Sequence, residues 1–301
     1  MSGKNLTPTV VALGYFDSVH AGHRKVIEEA KTLAASLSAT VTVFTFEGNL
    51  RATLSRRDDK YVYSFAERKA VLAEIGVDNV FSQTADFNFL SMGKLAFLNW
   101  LNRKLNIKGY VCGVDYKFGK FGKGGLEDLV KYAESNSQAL KIVDTLEMDG
   151  RRVSTSRIKT LLAAGDIKGA NVLLARPYSF SGVVTHDRGV GAALGFPTAN
   201  IKVEKNKQLL HEGVYAGHVF LDGKRYDTVI NFGSRPTFGG KEIVPEAHII
   251  GFSGDLYGQN ITLFFDAYIR EVRKFFSEDD LKNQLNDDLE FIKKQNAGST
   301  Q

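Results

Sequence analysis

Apolar residues recur along this chain with two different periods, and the change of period divides it. Val10-Val11-Ala12-Leu13 and the run TVTVFTF over 40–46 are short, continuous and β-branched, as strands covered on both faces are. Between them Val26, Ile27, Ala30, Leu33, Ala34 and Leu37 share one side of a 3.6-residue repeat and predict a helix over 23–37. The alternation continues with helices over 66–75, 95–105 and 126–133 and strands over 79–82, 110–114 and 141–145. A helix from Ser154 then carries Ile158, Leu161 and Leu162, and Asp166 caps another over 167–174. This order predicts an α/β domain built on a parallel sheet, with ligands at the carboxyl ends of its strands.

Around Ala175-Arg176-Pro177-Tyr178 the rhythm changes to short strands broken by turns, over 180–184, 199–203, 214–221, 226–231, 247–250 and 261–268. Asp222-Gly223 is a two-residue hairpin signal. Even spacing of such strands predicts a small antiparallel barrel. A closing helix follows, capped at Ser277 with Asp280 three residues on and a buried stripe of Leu281, Leu285, Leu289 and Ile292; residues 296–301 are expected to fray. The pattern places two domains at 1–178 and 179–301.

Composition narrows the class. In 301 residues, 43% hydrophobic and 24% charged, no apolar run approaches the roughly 20 residues of a membrane helix. The first ten residues show no signal-peptide design, and one cysteine, Cys112, excludes an internal disulfide, so a reducing cytoplasm is expected. The net charge of +5 is spread along the chain, which suits a small anionic substrate at least as well as nucleic acid, and no nucleic-acid partner is expected.

Candidate chemistry concentrates in four stretches. GYFDSVHAGH, from Gly14 to His23, joins a strand to a helix N-terminus, where free N–H groups and a partial positive charge favour phosphate. His20 and His23 flank Gly22 there. Zinc ligation is the competing reading, but Cys112, His186, His211, His218 and His248 repeat no ligand spacing. GVDYKFGKFGKGG, 113–125, is a glycine-rich polar loop at the same sheet edge, or simply a solvated loop. VSTSRIK, 153–159, places Ser154, Thr155 and Ser156 at a helix start ahead of Arg157 and Lys159, which suits capping and also phosphate. RGVGAALGFPTAN, 188–200, is a glycine loop containing Gly189, Gly191 and Gly195; beyond it Pro197 fixes the backbone, and Thr198 and Asn200 offer oxygens to a hard cation such as Mg²⁺.

Taken in order, these stretches resemble the bacterial bifunctional riboflavin kinase/FMN adenylyltransferases, over about residues 9–292. The resemblance implies a Rossmann-like nucleotidyltransferase domain followed by a β-barrel riboflavin kinase domain with a C-terminal helix. ATP would lie against Gly14, Phe16, Asp17, His20, Gly22, His23, Ser154, Thr155, Ser156, Arg157 and Lys159. Asp115 and Phe118 fall on the family's second motif, near adenine and ribose. His20, His23 and the helix N-terminus would stabilise charge on the α-phosphate as pyrophosphate leaves. In the second domain Pro-Thr-Ala-Asn matches the kinase signature, with ATP or flavin against Gly189, Gly191, Gly195, Pro197, Thr198, Asn200 and Arg270. Glu246 falls on the family's general base. The substrates and products would be ATP, riboflavin, FMN and FAD, with Mg²⁺ on Thr198 and Asn200, in a monomer or weak oligomer.

The chain departs from the family's usual pattern in five places. Ser18 replaces glycine, which predicts crowding if that residue needs a positive φ. Glu47-Gly48-Asn49 stands for Pro-His-Pro, and Lys159 for arginine. Asp187 and Ala192 alter the kinase glycine loop, and an anion at 187 would repel phosphate. Two further readings follow: a relative retaining one activity, most often the adenylyltransferase, or a non-catalytic flavin-binding regulator.

Overall fold

A computed structural model describes residues 6–55, 59–185, 198–237, 240–273, 275 and 277–298. Its contacts divide the chain into two compact units, Met1–Thr155 and Ser156–Gln301.

The first unit is a five-stranded parallel sheet of β1 (Pro8–Leu13), β2 (Thr40–Glu47), β3 (Asn79–Thr84), β4 (Asn106–Gly113) and β5 (Ala139–Val143), in the order β3-β2-β1-β4-β5. Helices α1 (Ala21–Ser36), α2 (Leu50–Ser55), α3 (Phe65–Glu74), α4 (Phe87–Leu90), α5 (Lys94–Lys104) and α6 (Leu126–Ser135) connect it. Successive side chains of β1 point to opposite faces. Val10 and Ala12 join Ile27, Ala30, Val71 and Leu72 in one apolar layer, and Val11 and Leu13 join Phe97, Leu98, Leu101 and Leu129 in the other. That two-sided burial is why the strand reads as an unbroken apolar run.

Two features of this unit lie outside the periodic pattern. The strand expected to begin at 110 begins at Asn106, because Lys108 and Gly109 interrupt its apolar run and the register with β1 shifts between Thr9 and Val10. A short hairpin of β6 (Glu147–Met148) and β7 (Arg151–Arg152) turns on Asp149-Gly150, both with positive φ. Its two-residue arms are too short to show alternation.

In the second unit, α7 (Thr155–Ala163, whose first residue belongs to the first unit) and α8 (Ile167–Leu174) precede a closed six-stranded barrel. Asp166 caps α8 through the Gly169 N–H, as expected. The strands are β8 (Tyr178–Thr185), β9 (Thr198–Ile201), β10 (Gly213–Leu221), β11 (Lys224–Thr237), β12 (Gly240–Ile249) and β13 (Asn260–Arg270), ordered β10-β11-β12-β9-β8-β13 and antiparallel throughout. Tyr178, Phe180, Tyr215, Phe232 and Phe265 meet edge-on or tilted in its interior. Asp222 (φ 49°) and Gly223 (φ 76°) make the β10–β11 turn with the two positive φ angles a tight hairpin requires. β11 and β12 run longer than their apolar cores, through Pro236 and Gly240, where pairing rather than composition sustains the strand.

Helix α8 belongs to the barrel by its bonds. Asn171 accepts from the Tyr178 N–H at 2.7 Å and donates to the Phe265 carbonyl at 2.8 Å. The closing helix α9 (Glu278–Gly298) starts from Ser277, whose Oγ accepts from the Asp280 N–H, and extends two residues beyond the point where fraying was expected.

Candidate functional site

The turn between β1 and α1 sets the geometry of the first site. Phe16 (φ 52°) and Val19 (φ 43°) take the left-handed conformation, and both side chains are buried. Ser18 between them does not, so the crowding expected from a positive φ there does not arise. Its hydroxyl instead shares a buried hydrogen bond with Thr155 Oγ1 at 2.9 Å, tying this turn to the start of α7.

His20 is the N-cap of α1. Its Nδ1 accepts from the His23 N–H at 3.1 Å, and the two imidazoles stack with centroids 3.7 Å apart. Burial lowers the His20 pKa to about 4, so near neutral pH the ring is uncharged and carries its proton on Nε2. The sequence left the charge of this imidazole open.

These residues line a cavity of about 660 Å³ at the carboxyl ends of β1, β2, β4 and β5, beside the point where the strand order reverses. Of the residues expected around ATP, Gly14, Phe16, His20, Gly22, His23, Asp115, Phe118, Ser154 and Thr155 line it. Asp17 does not; it is buried, and its Oδ1 accepts from the Val62 N–H at 3.0 Å, so its observed contact is structural. Ser156, Arg157 and Lys159 continue α7 into the second unit and are absent from the lining.

Sequence reasoning passed over two parts of this cavity. Arg152 lines it from β7 and forms an ion pair with Asp115, placing a cation opposite the second motif. The signal was its place beside Val153-Ser154, but an Arg151-Arg152 pair in an unrecognised hairpin reads as surface. The second part is an aromatic wall of Phe44, Phe46, Phe89, Phe97 and Phe118 in mutual ring contact. Phe44, Phe46 and Phe97 come from elements that read as core, Phe89 from a segment the pattern leaves unassigned, and Phe118 from the loop singled out above. The loop 113–125 is closed on itself by paired backbone bonds between Phe118 and Gly124, which buries the Phe118 ring.

In the barrel, β12 pairs with β9 so that Glu246 lies opposite Asn200 and His248 opposite Thr198. Thr198 Oγ1 donates to Glu246 Oε1 at 2.8 Å. Asn200 is buried, and among the described residues its Oδ1 has no hydrogen-bond partner. Arg270 makes a bidentate pair with Asp288 of α9, at 2.9 and 2.7 Å, so its charge is already engaged inside the protein. Gly189, Gly191, Gly195 and Pro197, with Asp187 and Ala192, lie outside the described residues.

Together these features define a two-part protein, with a histidine-lined α/β cavity in one unit and a barrel-borne carboxylate, hydroxyl and amide in the other. The family model described as FAD synthetase matches residues 2–157, and that described as riboflavin kinase matches residues 174–296. The bifunctional riboflavin kinase/FMN adenylyltransferase of Bacillus subtilis is 32% identical over 93% of this chain and 90% of its own length; that of Listeria monocytogenes is 31% identical with the same coverage. A solved structure described as a macrolide-efflux protein from Streptococcus pneumoniae superposes with a TM-score of 0.87 at 30% identity, covering 97% of this chain and 95% of its own. Among the described residues no helix is long and apolar enough to cross a membrane. The chain belongs to the bifunctional riboflavin kinase/FMN adenylyltransferase family.

Proposed function

We propose that this protein makes FAD from riboflavin in two ATP-dependent steps, one in each unit. The barrel phosphorylates riboflavin to FMN, and the α/β unit transfers adenylyl to FMN with release of pyrophosphate. The observation that carries this reading is the first cavity, which joins a stacked histidine pair at a helix N-terminus to an aromatic wall. The first suits a nucleotide's phosphates and the second a flavin ring.

In the adenylyl transfer an FMN phosphate oxygen attacks the α-phosphorus while the bond to the β-phosphate oxygen breaks. No covalent enzyme intermediate is needed. The Nε2–H of His20, with His23 and the α1 N-terminus, would bind the α-phosphate oxygens as charge builds on them. Ser154 and Thr155 add hydroxyl donors, and Asp115 would orient Arg152 beside them.

In the kinase step the riboflavin 5′-oxygen attacks the γ-phosphorus and ADP leaves. Glu246 takes the hydroxyl proton, with the Thr198 hydroxyl orienting its carboxylate. The buried Asn200 side-chain carbonyl, which has no partner among the described residues, and the Thr198 hydroxyl fit a magnesium ion and would hold it. When bound, the ion would neutralise phosphate charge. Arg270 supports this site through α9 rather than by meeting a ligand. We assign adenylyl transfer to the first unit and riboflavin phosphorylation to the second, in a cytoplasmic monomer or weak oligomer.

Incubating the purified protein with ATP, Mg²⁺ and either riboflavin or FMN, then resolving the flavins, tests both steps. Riboflavin should give FMN and FAD, and FMN should give FAD. FAD from FMN without FMN from riboflavin would remove the kinase half, and flavin binding without turnover would leave a regulator. His23→Ala should abolish FAD formation only. Glu246→Gln should slow FMN formation by about 10²–10⁴-fold and leave FAD formation intact.

A further inference from the structure

Tyr15 lines the first cavity, and both ends of the residue are held by the protein. Its carbonyl accepts from Thr45 Oγ1 at 2.7 Å and from Arg68 Nη1 at 2.8 Å. Arg68 is only 1% exposed, donates its other terminal nitrogen to the Phe46 carbonyl, and lies 4.9 Å above the Tyr15 ring. A buried guanidinium stays charged, so it clamps this carbonyl and ring through both hydrogen bonds and cation–π attraction.

From that fixed base the hydroxyl reaches 33 residues along the chain. It donates to the Gly48 carbonyl at 3.0 Å and accepts from the Leu50 N–H at 3.3 Å. The turn it meets is open at Gly48, which has φ +69° and no atom within 4 Å of where a Cβ would sit, while its neighbour Asn49 is held separately by the Asp59 carbonyl. The turn leads into α2, a six-residue helix too short to persist on local hydrogen bonds alone. Leu50 and Leu54 of this helix line the cavity beside Phe46, and Leu54 is 57% exposed.

We propose that Tyr15 is a positioning residue for the flavin: its hydroxyl sets the place of the 48–54 segment and so the width of the apolar slot that takes the isoalloxazine ring. Arg68 is the anchor from which it does so. This rests on the adenylyltransferase reading for the identity of the planar ligand. The consequence is selectivity: loss of the hydroxyl weakens flavin binding and leaves the nucleotide end unchanged.

Tyr15→Phe keeps the ring under Arg68 and removes only the hydroxyl. Its KM for FMN should rise about fivefold as both hydrogen bonds holding the 48–54 segment are lost, while the KM for ATP and kcat stay within about twofold. Titration of FMN by fluorescence quenching should show the same fivefold weakening without turnover. Leu54→Ala, at an exposed position, should reproduce the FMN-selective loss. A parallel rise in both KM values, or no change in FMN binding in either variant, overturns the proposal. If the wild type binds FMN but forms no FAD, the adenylyl-transfer reading falls, while the titration still decides the role of Tyr15.

Discussion

The hydroxyls of Ser18 and Thr155 lie 2.9 Å apart in a buried contact that joins the turn before α1 to the first residue of α7. Through this bond two segments 137 residues apart, each carrying candidate phosphate ligands, share one fixed geometry. The Ser18 hydroxyl therefore has a structural task that a glycine there would leave undone.

Ser18→Ala leaves the Thr155 hydroxyl buried without that partner. It should destabilise the first unit by about 1–2 kcal/mol, read as a lower urea midpoint at unchanged slope. An unchanged midpoint would show that water replaces the bond at no cost.

The His20 imidazole predicts a pH dependence of stability with a definite sign. Burial lowers its folded pKa to about 4 from 6.5, so the unfolded chain binds its proton first as pH falls. Its contribution is complete above pH 6.5 and is lost as pH drops through 6.5 towards 4; the full shift corresponds to about 3 kcal/mol. His20→Asn keeps a side-chain acceptor for the His23 N–H but does not titrate. Urea unfolding at pH 7 and pH 5 should show a smaller loss for this variant than for the wild type, and FAD formation should be lost at both. Equal losses would remove His20 as the source.

Asp288→Ala strands the Arg270 guanidinium in a contact where only 13% of its side chain is exposed. Removing one partner of such a pair costs about 3–5 kcal/mol, so the second unit should melt earlier and lose FMN formation as α9 detaches. Replacing both residues, Arg270→Met with Asp288→Leu, should restore most of the melting temperature. If kinase activity returns with it, Arg270 acts through α9; a stable but inactive double variant would show direct ligand contact instead.

How much of this was legible in the sequence depended on range. The β1 run, the Asp166 and Ser277 caps and the Asp222-Gly223 turn are settled within a few residues by local geometry and stand where the pattern puts them; the α1 stripe does so through Ala34, while Leu37 becomes the exposed C-cap. The Asp149-Gly150 hairpin carried the same dipeptide signal, but its arms were too short to announce themselves.

The sequence by itself determined a parallel α/β unit, a barrel, and the segments that carry their chemistry, because periodic burial and turn residues act locally. Only the tertiary structure decided which of those residues meet. It put Asp17 on the Val62 backbone, gave Arg270 to Asp288, made His20 neutral by burial, and assembled the aromatic wall from four separated segments. Those outcomes depend on packing between residues tens to hundreds of positions apart, and no local pattern encodes which partner a charged or aromatic side chain will find.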